Sequence, residues 1–223
     1  MQQRSPTSAT PRRPPRRPRR AAALAWAVAA LVGAPAQAPA DDDGPVAVVE
    51  AFHAALLDVM RQAEQLGVQE RYRRLETPVK TAFHLPLMIQ IASAGAWQQA
   101  NEDQRHRLVA AFERMSVGNY AHRFDGWSGE SFETVAETPG PRRTVLVETR
   151  IVRPDDDPVE LTYVVKTVGD GYRIVDVLLA RGVSELAVRR SEYQAVLAGE
   201  GVEGLIAALD RKTGDLLAGR AEE

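Results

Sequence analysis

Cysteine is absent from the 223-residue chain, and histidine occurs only four times. Without thiols the chain can form no disulfide, and metal sites built on thiolates are excluded. The four histidines, His53, His84, His106 and His122, lie far apart and form no His-x-x-x-His pair, which is the spacing of many helical zinc sites. We therefore predict no metal site.

Long hydrophobic runs are also missing. The longest, residues 21–32, has 12 residues, whereas a membrane-spanning helix needs about 20. It follows an arginine-rich block and precedes Ala36-Gln37-Ala38, a small-x-small cleavage pattern. We interpret residues 1–38 as a secretory signal peptide and expect the mature protein to be exported; an uncleaved anchor is the alternative.

An excess of basic residues is absent once that segment is removed. Residues 1–38 contain seven of the 28 basic residues and no acidic one, which leaves 21 basic and 30 acidic residues and a net charge of −9. Nucleic-acid binding needs a basic face that neutralises phosphates, so we do not expect it. Residues 39–223 are enough for a sizeable core without disulfides.

The chain does contain a series of alternating apolar residues between Val145 and Val177. Residues 145–151, 159–166 and 172–177 each place apolar side chains on one face and polar ones on the other, which predicts half-buried strands. The segments before and after have helical spacing. We predict an α+β fold in which helices cover one face of a curved mixed or antiparallel sheet.

Several local signals give expected boundaries. Thr77-Pro78 is expected to end a short second helix, and Pro86 to kink the next one. Asn101 with Gln104 predicts a capping box, and Ser184 an N-cap. The glycines at 199 and 201 are expected to interrupt the last helical segment. The predicted organisation is a polar lead-in at residues 39–45, one domain at residues 46–210 and a frayed tail at residues 211–223.

Few residues suggest catalysis. Ser128 lies in Gly126-Trp127-Ser128-Gly129, which lacks the Gly-x-Ser-x-Gly spacing of a nucleophile elbow, and the chain has no glycine-rich phosphate loop. Asp176 is the single acid on an apolar strand. It is either a hydrogen-bond acceptor for a neighbouring loop or, in an alternative function, the general base of an enzyme. We predict no enzyme and no cofactor.

The apolar stripes fit a filled core as well as a lined pocket, and composition does not separate the two. A resemblance favours the pocket. Short segments from about Val46 to Leu209 resemble the MlaC family of periplasmic lipid-binding proteins, also called Ttg2D, and especially its hopanoid-associated HpnM branch. These segments are residues 49–53, 95–97, 124–130, 172–177, 182–184 and 191–197, with Phe112 and Tyr120. The family usually has Phe-Asp where this chain has Phe83-His84.

The resemblance implies a cone-shaped fold akin to nuclear transport factor 2, with a deep apolar cavity for lipid tails. It implies a soluble carrier that passes phospholipid or hopanoid between inner- and outer-membrane transport proteins, in the hopanoid branch beside an RND-type exporter. The residues that we expect to line the cavity are Phe52, Leu56, Met60, Phe83, Leu87, Ile91, Leu108, Phe112, Tyr120, Phe124, Val147, Leu161, Tyr163, Val165 and Ile174.

Overall fold

The computed structural model describes residues 44–179 and 182–220. The predicted signal peptide at residues 1–38 and nearly all of the predicted lead-in lie outside the described residues. No helix in the described part of the chain combines the length and the apolar character needed to cross a membrane.

Helices and strands follow one another in the order that the sequence predicts, with helices before and after a sheet. The helices are α1 Pro45–Arg61, α2 Val68–Ala82, α3 Leu85–Ser93, α4 Gly95–Gln99, α5 Glu102–Arg123 and α6 Glu185–Leu217. The strands are β1 Ser131–Pro139, β2 Thr144–Arg153, β3 Asp156–Val168, β4 Gly171–Leu179 and β5 Val183–Ser184. The predicted α+β class is confirmed.

The five strands form an antiparallel sheet in sequence order, β1-β2-β3-β4-β5. The register shifts near Ala136, at Arg153 and at Val175, where one strand has an extra residue. Such bulges bend a strand and increase its twist. The sheet therefore bends, with its inner face covered by helices and its outer face on the other side.

The inner face carries the side chains that the alternation predicts. Tyr163 and Val165 of β3 are buried, and their neighbours Glu160 and Lys166 are exposed. Helices α1, α2 and α3 pack against the sheet, α5 packs against α2 and α3, and together their apolar stripes form one continuous core.

Helix α2 runs through Pro78 to Ala82 and does not end before the proline as predicted. Leu75, Val79 and Ala82 are buried on one side of this helix, and that packing outweighs the single backbone hydrogen bond that proline removes. The chain leaves the helix at Phe83, which bridges to Ile174 of β4.

Pro86 does not kink a helix, because it lies in the first turn of a new one, where its missing N–H is not needed. His84 caps that helix: its Nδ1 accepts a hydrogen bond from Leu87 N at 3.0 Å. His84 N also donates to Ile174 O at 2.9 Å. At the position where the family usually has aspartate, this chain therefore has a different side chain that caps the helix.

The capping box of Asn101 with Gln104 and the N-cap Ser184 are confirmed. Helix α6 bends at Gly201, where φ is +62°, so it has a first half, residues 185–200, and a second half, residues 202–217. Gly199, the other expected interruption, is helical.

The prediction of a frayed tail from residue 211 is wrong for residues 211–217, which continue helix α6. The helix continues because Thr213 and Leu216 are buried over Gly118 of α5, so these residues gain apolar packing that a free tail would lack.

Candidate functional site

Most of the predicted lining residues lie in the packed core. Ten of the fifteen are buried: Phe52, Leu56, Met60, Phe83, Leu108, Phe112, Val147, Tyr163, Val165 and Ile174. Tyr120, Phe124 and Leu161 are half-buried against this core. Only Leu87 and Ile91 lie elsewhere, on the outer side of α3.

Aromatic rings fill the space between helices and sheet where the resemblance implies a cavity. The ring of Phe52 lies 5.1 Å from Phe83, 5.0 Å from Tyr120 and 6.5 Å from Tyr163, each in an edge-to-face arrangement. Such pairs pack at favourable distances. In this structure these rings therefore form an aromatic core in mutual contact, and the cavities described below lie around it, one of them against Phe52.

A buried polar pair is set into that core. His53 Nε2 lies 3.0 Å from Tyr163 Oη, and the His53 ring stacks on Phe132 at 4.2 Å. Burial lowers the pKa of His53 from 6.5 to about 4 and raises the pKa of Tyr163. Both side chains are therefore neutral at pH 7.

Glu50 and His53 are three residues apart on α1, a spacing that can place two metal ligands together. Here the Glu50 side chain instead accepts a hydrogen bond from Thr134 Oγ1 at 2.9 Å. No cluster of three metal-ligating side chains occurs in the described ranges.

A largely apolar opening lies on the outer face of the sheet. This outer groove has a volume of about 510 Å³ and runs between strands β2 to β4, helix α3 and the start of α6. Its apolar floor consists of Leu87, Ile91, Leu146, Val164, Val175, Leu178 and Leu186. A second hollow of about 390 Å³ shares Leu87, Ile91 and Arg190 with the groove and extends to Trp97.

The floor of the groove exposes large apolar side chains. Ile91 is 42% exposed, and Leu87, Leu146, Val164 and Leu178 are half-buried. Exposed apolar surface of this kind, rimmed by polar residues, is typical of a binding site. Its edge carries Arg142, Lys166 and Arg190.

Asp176 lines the same groove but is not a free base. Its Oδ1 accepts hydrogen bonds from Val177 N at 2.8 Å and Leu186 N at 3.1 Å, and its Oδ2 accepts one from Ser184 Oγ at 2.5 Å. The carboxylate thus joins β4 to the start of α6. This arrangement agrees with the prediction that Asp176 accepts hydrogen bonds from a neighbouring loop, and not with the alternative that it is a general base.

Two further cavities have a different character. One of about 720 Å³ lies between α5 and both halves of α6 and mixes apolar residues with Arg123, Arg189, Glu192 and Lys212. The other, of about 540 Å³, lies beside α1 and α2 near the turn at residues 170–173. The larger cavity is lined by Tyr193, whose buried hydroxyl has no hydrogen-bond partner among the described residues.

The sequence pattern described as MlaC protein matches residues 50–211, which is most of the chain. The chain belongs to the MlaC family. MlaC proteins are periplasmic lipid carriers and not enzymes, so the prediction of no enzymatic activity is confirmed. Comparison with curated proteins gives no match.

A solved structure shares the MlaC fold of this chain. It is a phospholipid-binding protein from Ralstonia solanacearum, in complex with a phospholipid. The TM-score is 0.67 at 18% sequence identity, and the similarity covers 76% of this chain and 97% of the other.

Sequence reasoning missed the outer face of the sheet. It did assign Leu87 and Ile91 of α3, which line the groove, but among the strand residues it chose only inward side chains. Leu146, Val164 and Leu178 point outward into the groove. The signal was present in residues 174–179, Ile-Val-Asp-Val-Leu-Leu. A nearly continuous apolar run is typical of a strand that is covered on both faces.

Proposed function

We propose that this MlaC-family protein carries lipid and holds the lipid tails in the outer groove. The observation that carries the proposal is the apolar floor of that groove, open to solvent and formed by α3, the outer sheet face and α6. The Ralstonia neighbour, which binds a phospholipid, supports lipid as the cargo class.

The free energies involved require a carrier. Each buried methylene is worth about 0.8 kcal/mol, so a diacyl lipid with roughly 30 methylenes resists transfer into water by up to about 24 kcal/mol. An apolar enclosure offsets this cost. The groove volume of about 510 Å³ lies within the usual range of ligand pockets, about 300–1,000 Å³, and the adjoining hollow lengthens it.

The proposal extends to compartment and partners. The protein is exported by residues 1–38 and works in the periplasm, where it exchanges phospholipid or hopanoid with inner- and outer-membrane transport proteins. The resemblance to the HpnM branch supports hopanoid cargo and an RND-type exporter as partner. The bound lipid of the Ralstonia neighbour supports phospholipid.

Tryptophan fluorescence tests the location of the tails. Trp26 lies in the predicted signal peptide, Trp97 lies at the end of the groove, and Trp127 is 46% exposed in the loop before β1. Phospholipids with brominated tails should quench Trp97 in a Trp127→Phe variant and leave Trp127 unquenched in a Trp97→Phe variant. Equal quenching of both tryptophans would contradict the groove assignment.

A pair of matched variants tests the floor. Ile91 in the groove and Val188 outside the described cavities are β-branched helical residues that are 42% and 43% exposed. Ile91→Glu places a carboxylate against the tails and should weaken lipid binding at least about tenfold, because the carboxylate loses its water to apolar chains when lipid binds. Val188→Glu should leave binding unchanged.

Mass spectrometry of organic extracts identifies the cargo. Protein purified from the periplasm of its own source should contain stoichiometric phospholipid or hopanoid. Absence of any stoichiometric lipid, together with no quenching of Trp97, would favour an interaction module without cargo.

A further inference from the structure

The edge of the outer groove brings together three positive charges from three separate elements. Arg142 comes from the turn between β1 and β2, Lys166 from β3, and Arg190 from the first half of α6. We call these three residues the cationic rim. They surround an apolar floor, so the groove has the polarity pattern of a lipid with a charged headgroup.

The rim residues are not paired with acids. Eleven ion pairs occur within the described residues, and none of them includes Arg142, Lys166 or Arg190. Residues 39–223 contain 30 acidic residues against 21 basic ones, so acidic partners are in excess. The edge of the groove therefore carries three cations that take part in none of these ion pairs.

The backbone that presents Arg142 is strained. Arg142 and Arg143 have φ values of +53° and +61°, a left-handed conformation that costs free energy in residues other than glycine. The turn is held by Gly140 N, which donates to Thr144 O at 2.8 Å, and by Thr144 Oγ1, which donates to Pro141 O at 2.6 Å. Strain of this kind is retained where a side chain has a functional position.

One acidic residue, Asp176, also lines the groove. Asp176 is held by donors from Val177, Ser184 and Leu186, so its oxygen atoms are directed to the start of α6. With one carboxylate against three cations, the charge facing the groove is positive.

We propose that the cationic rim binds the phosphate of an anionic lipid headgroup and so makes the protein prefer anionic phospholipids. This inference rests on the proposed function, in which the groove holds the tails. Arginine binds phosphate through two parallel hydrogen bonds, and lysine adds a point charge. A zwitterionic headgroup carries its own ammonium group, which the rim repels, and an uncharged triterpenoid has no anion for the rim to bind.

Calorimetric titration with two short-chain lipids tests the preference. Phosphatidylglycerol and phosphatidylcholine with identical short tails, each below its micelle concentration, differ only in the headgroup, which is anionic in the first lipid and zwitterionic in the second. The wild-type protein should bind phosphatidylglycerol about fivefold to tenfold more tightly, the sum expected of three exposed charge interactions. The difference should shrink as salt is added, because salt screens exposed charges.

The rim variant Arg142→Gln/Lys166→Gln/Arg190→Gln should abolish this preference, because it weakens phosphatidylglycerol binding more than phosphatidylcholine binding. The control Arg73→Gln/Arg211→Gln/Arg220→Gln changes the net charge by the same amount at exposed positions outside the groove. That control should retain the preference. Equal loss in both variants would assign the effect to net charge and overturn the proposal.

Arg142→Asn separates binding from folding. Asparagine tolerates the left-handed conformation better than arginine, so this variant should raise the urea midpoint and at the same time weaken phosphatidylglycerol binding about twofold or more. A lower urea midpoint with unchanged lipid binding would mean that Arg142 is merely structural.

The outcomes for the two proposals are distinguishable. Equal binding of both lipids by the wild type would overturn the headgroup preference and leave the carrier function standing. Binding of neither lipid, with Ile91→Glu indistinguishable from the wild type, would overturn the carrier function itself.

Discussion

At the scale of single residues, His53 makes folding depend on pH. Its pKa is about 4 in the folded protein against 6.5 in the unfolded chain. Between these pH values the unfolded chain binds a proton that the folded protein does not. The free energy of unfolding should therefore fall as the pH decreases from 7 to 4, by up to about 3 kcal/mol from this group.

Urea unfolding at several pH values checks the prediction. His53→Gln keeps a hydrogen-bonding group near Tyr163 but does not titrate, so its free energy of unfolding should decrease less steeply below pH 6.5. The comparison uses the slope with pH, because the variant also loses the stacking on Phe132. Parallel slopes would show that another group dominates.

Tyr193 gives a second prediction at this scale. The side chain is 7% exposed. Burial raises the pKa of Tyr193, and the nearby guanidinium of Arg189 lowers it, but no hydrogen bond of normal geometry reaches the hydroxyl within the described residues. Tyr193→Phe removes an unsatisfied buried donor and should raise the free energy of unfolding by about 1 kcal/mol.

The matched control is Tyr163→Phe, which removes a hydroxyl that is paired with His53 and should lower that free energy by about 1 kcal/mol. If Tyr193→Phe is equally destabilising in thermal unfolding, the hydroxyl has a partner, such as a ligand in the cavity of about 720 Å³.

At the scale of elements, helix α6 depends on the bend at Gly201. A side chain at Gly201 or at Gly199 would meet no atom within 4 Å, so the two positions differ only in backbone conformation. Gly201→Ala forces alanine to φ +62° and should destabilise the protein by about 1 kcal/mol or more. Gly199→Ala, in regular helix, should stabilise it by up to about 1 kcal/mol.

Urea denaturation of the two variants measures this difference directly. Equal effects of the same sign would mean that the bend is not imposed by Gly201. The expected result would show that the left-handed backbone conformation at Gly201 imposes the bend.

The elements also show how far the sequence alone can be interpreted. Alternation in residues 159–166 predicts β3 and its buried face correctly, because burial on one side requires it. The helix that passes through Pro78 and the ordered end at Leu216 depend on contacts with α5 and with the rest of the core, which no local pattern contains. For the same reason, the pattern could not decide whether Phe52 and Tyr163 meet each other or enclose lipid.

At the scale of the whole molecule, the filled aromatic core determines how the protein behaves without lipid. Because Phe52, Phe83, Tyr120 and Tyr163 already contact one another, removing lipid from the outer groove should leave the core intact. Protein stripped of lipid in denaturant and refolded should keep its near-ultraviolet circular dichroism and unfold cooperatively.

Added lipid should then raise the thermal midpoint, because it binds only the folded protein. At a free lipid concentration 100 times the dissociation constant, the free energy of unfolding should increase by about 2.7 kcal/mol. Phe52→Ala should lower stability by about 3–5 kcal/mol with or without lipid, because the residue belongs to the core and not to the groove. If the lipid-free protein instead binds hydrophobic dyes and loses its near-ultraviolet signal, then the tails enter the centre of the molecule and part these rings. That result would move the lipid site from the outer groove to the inner face, where Tyr163 and Val165 lie.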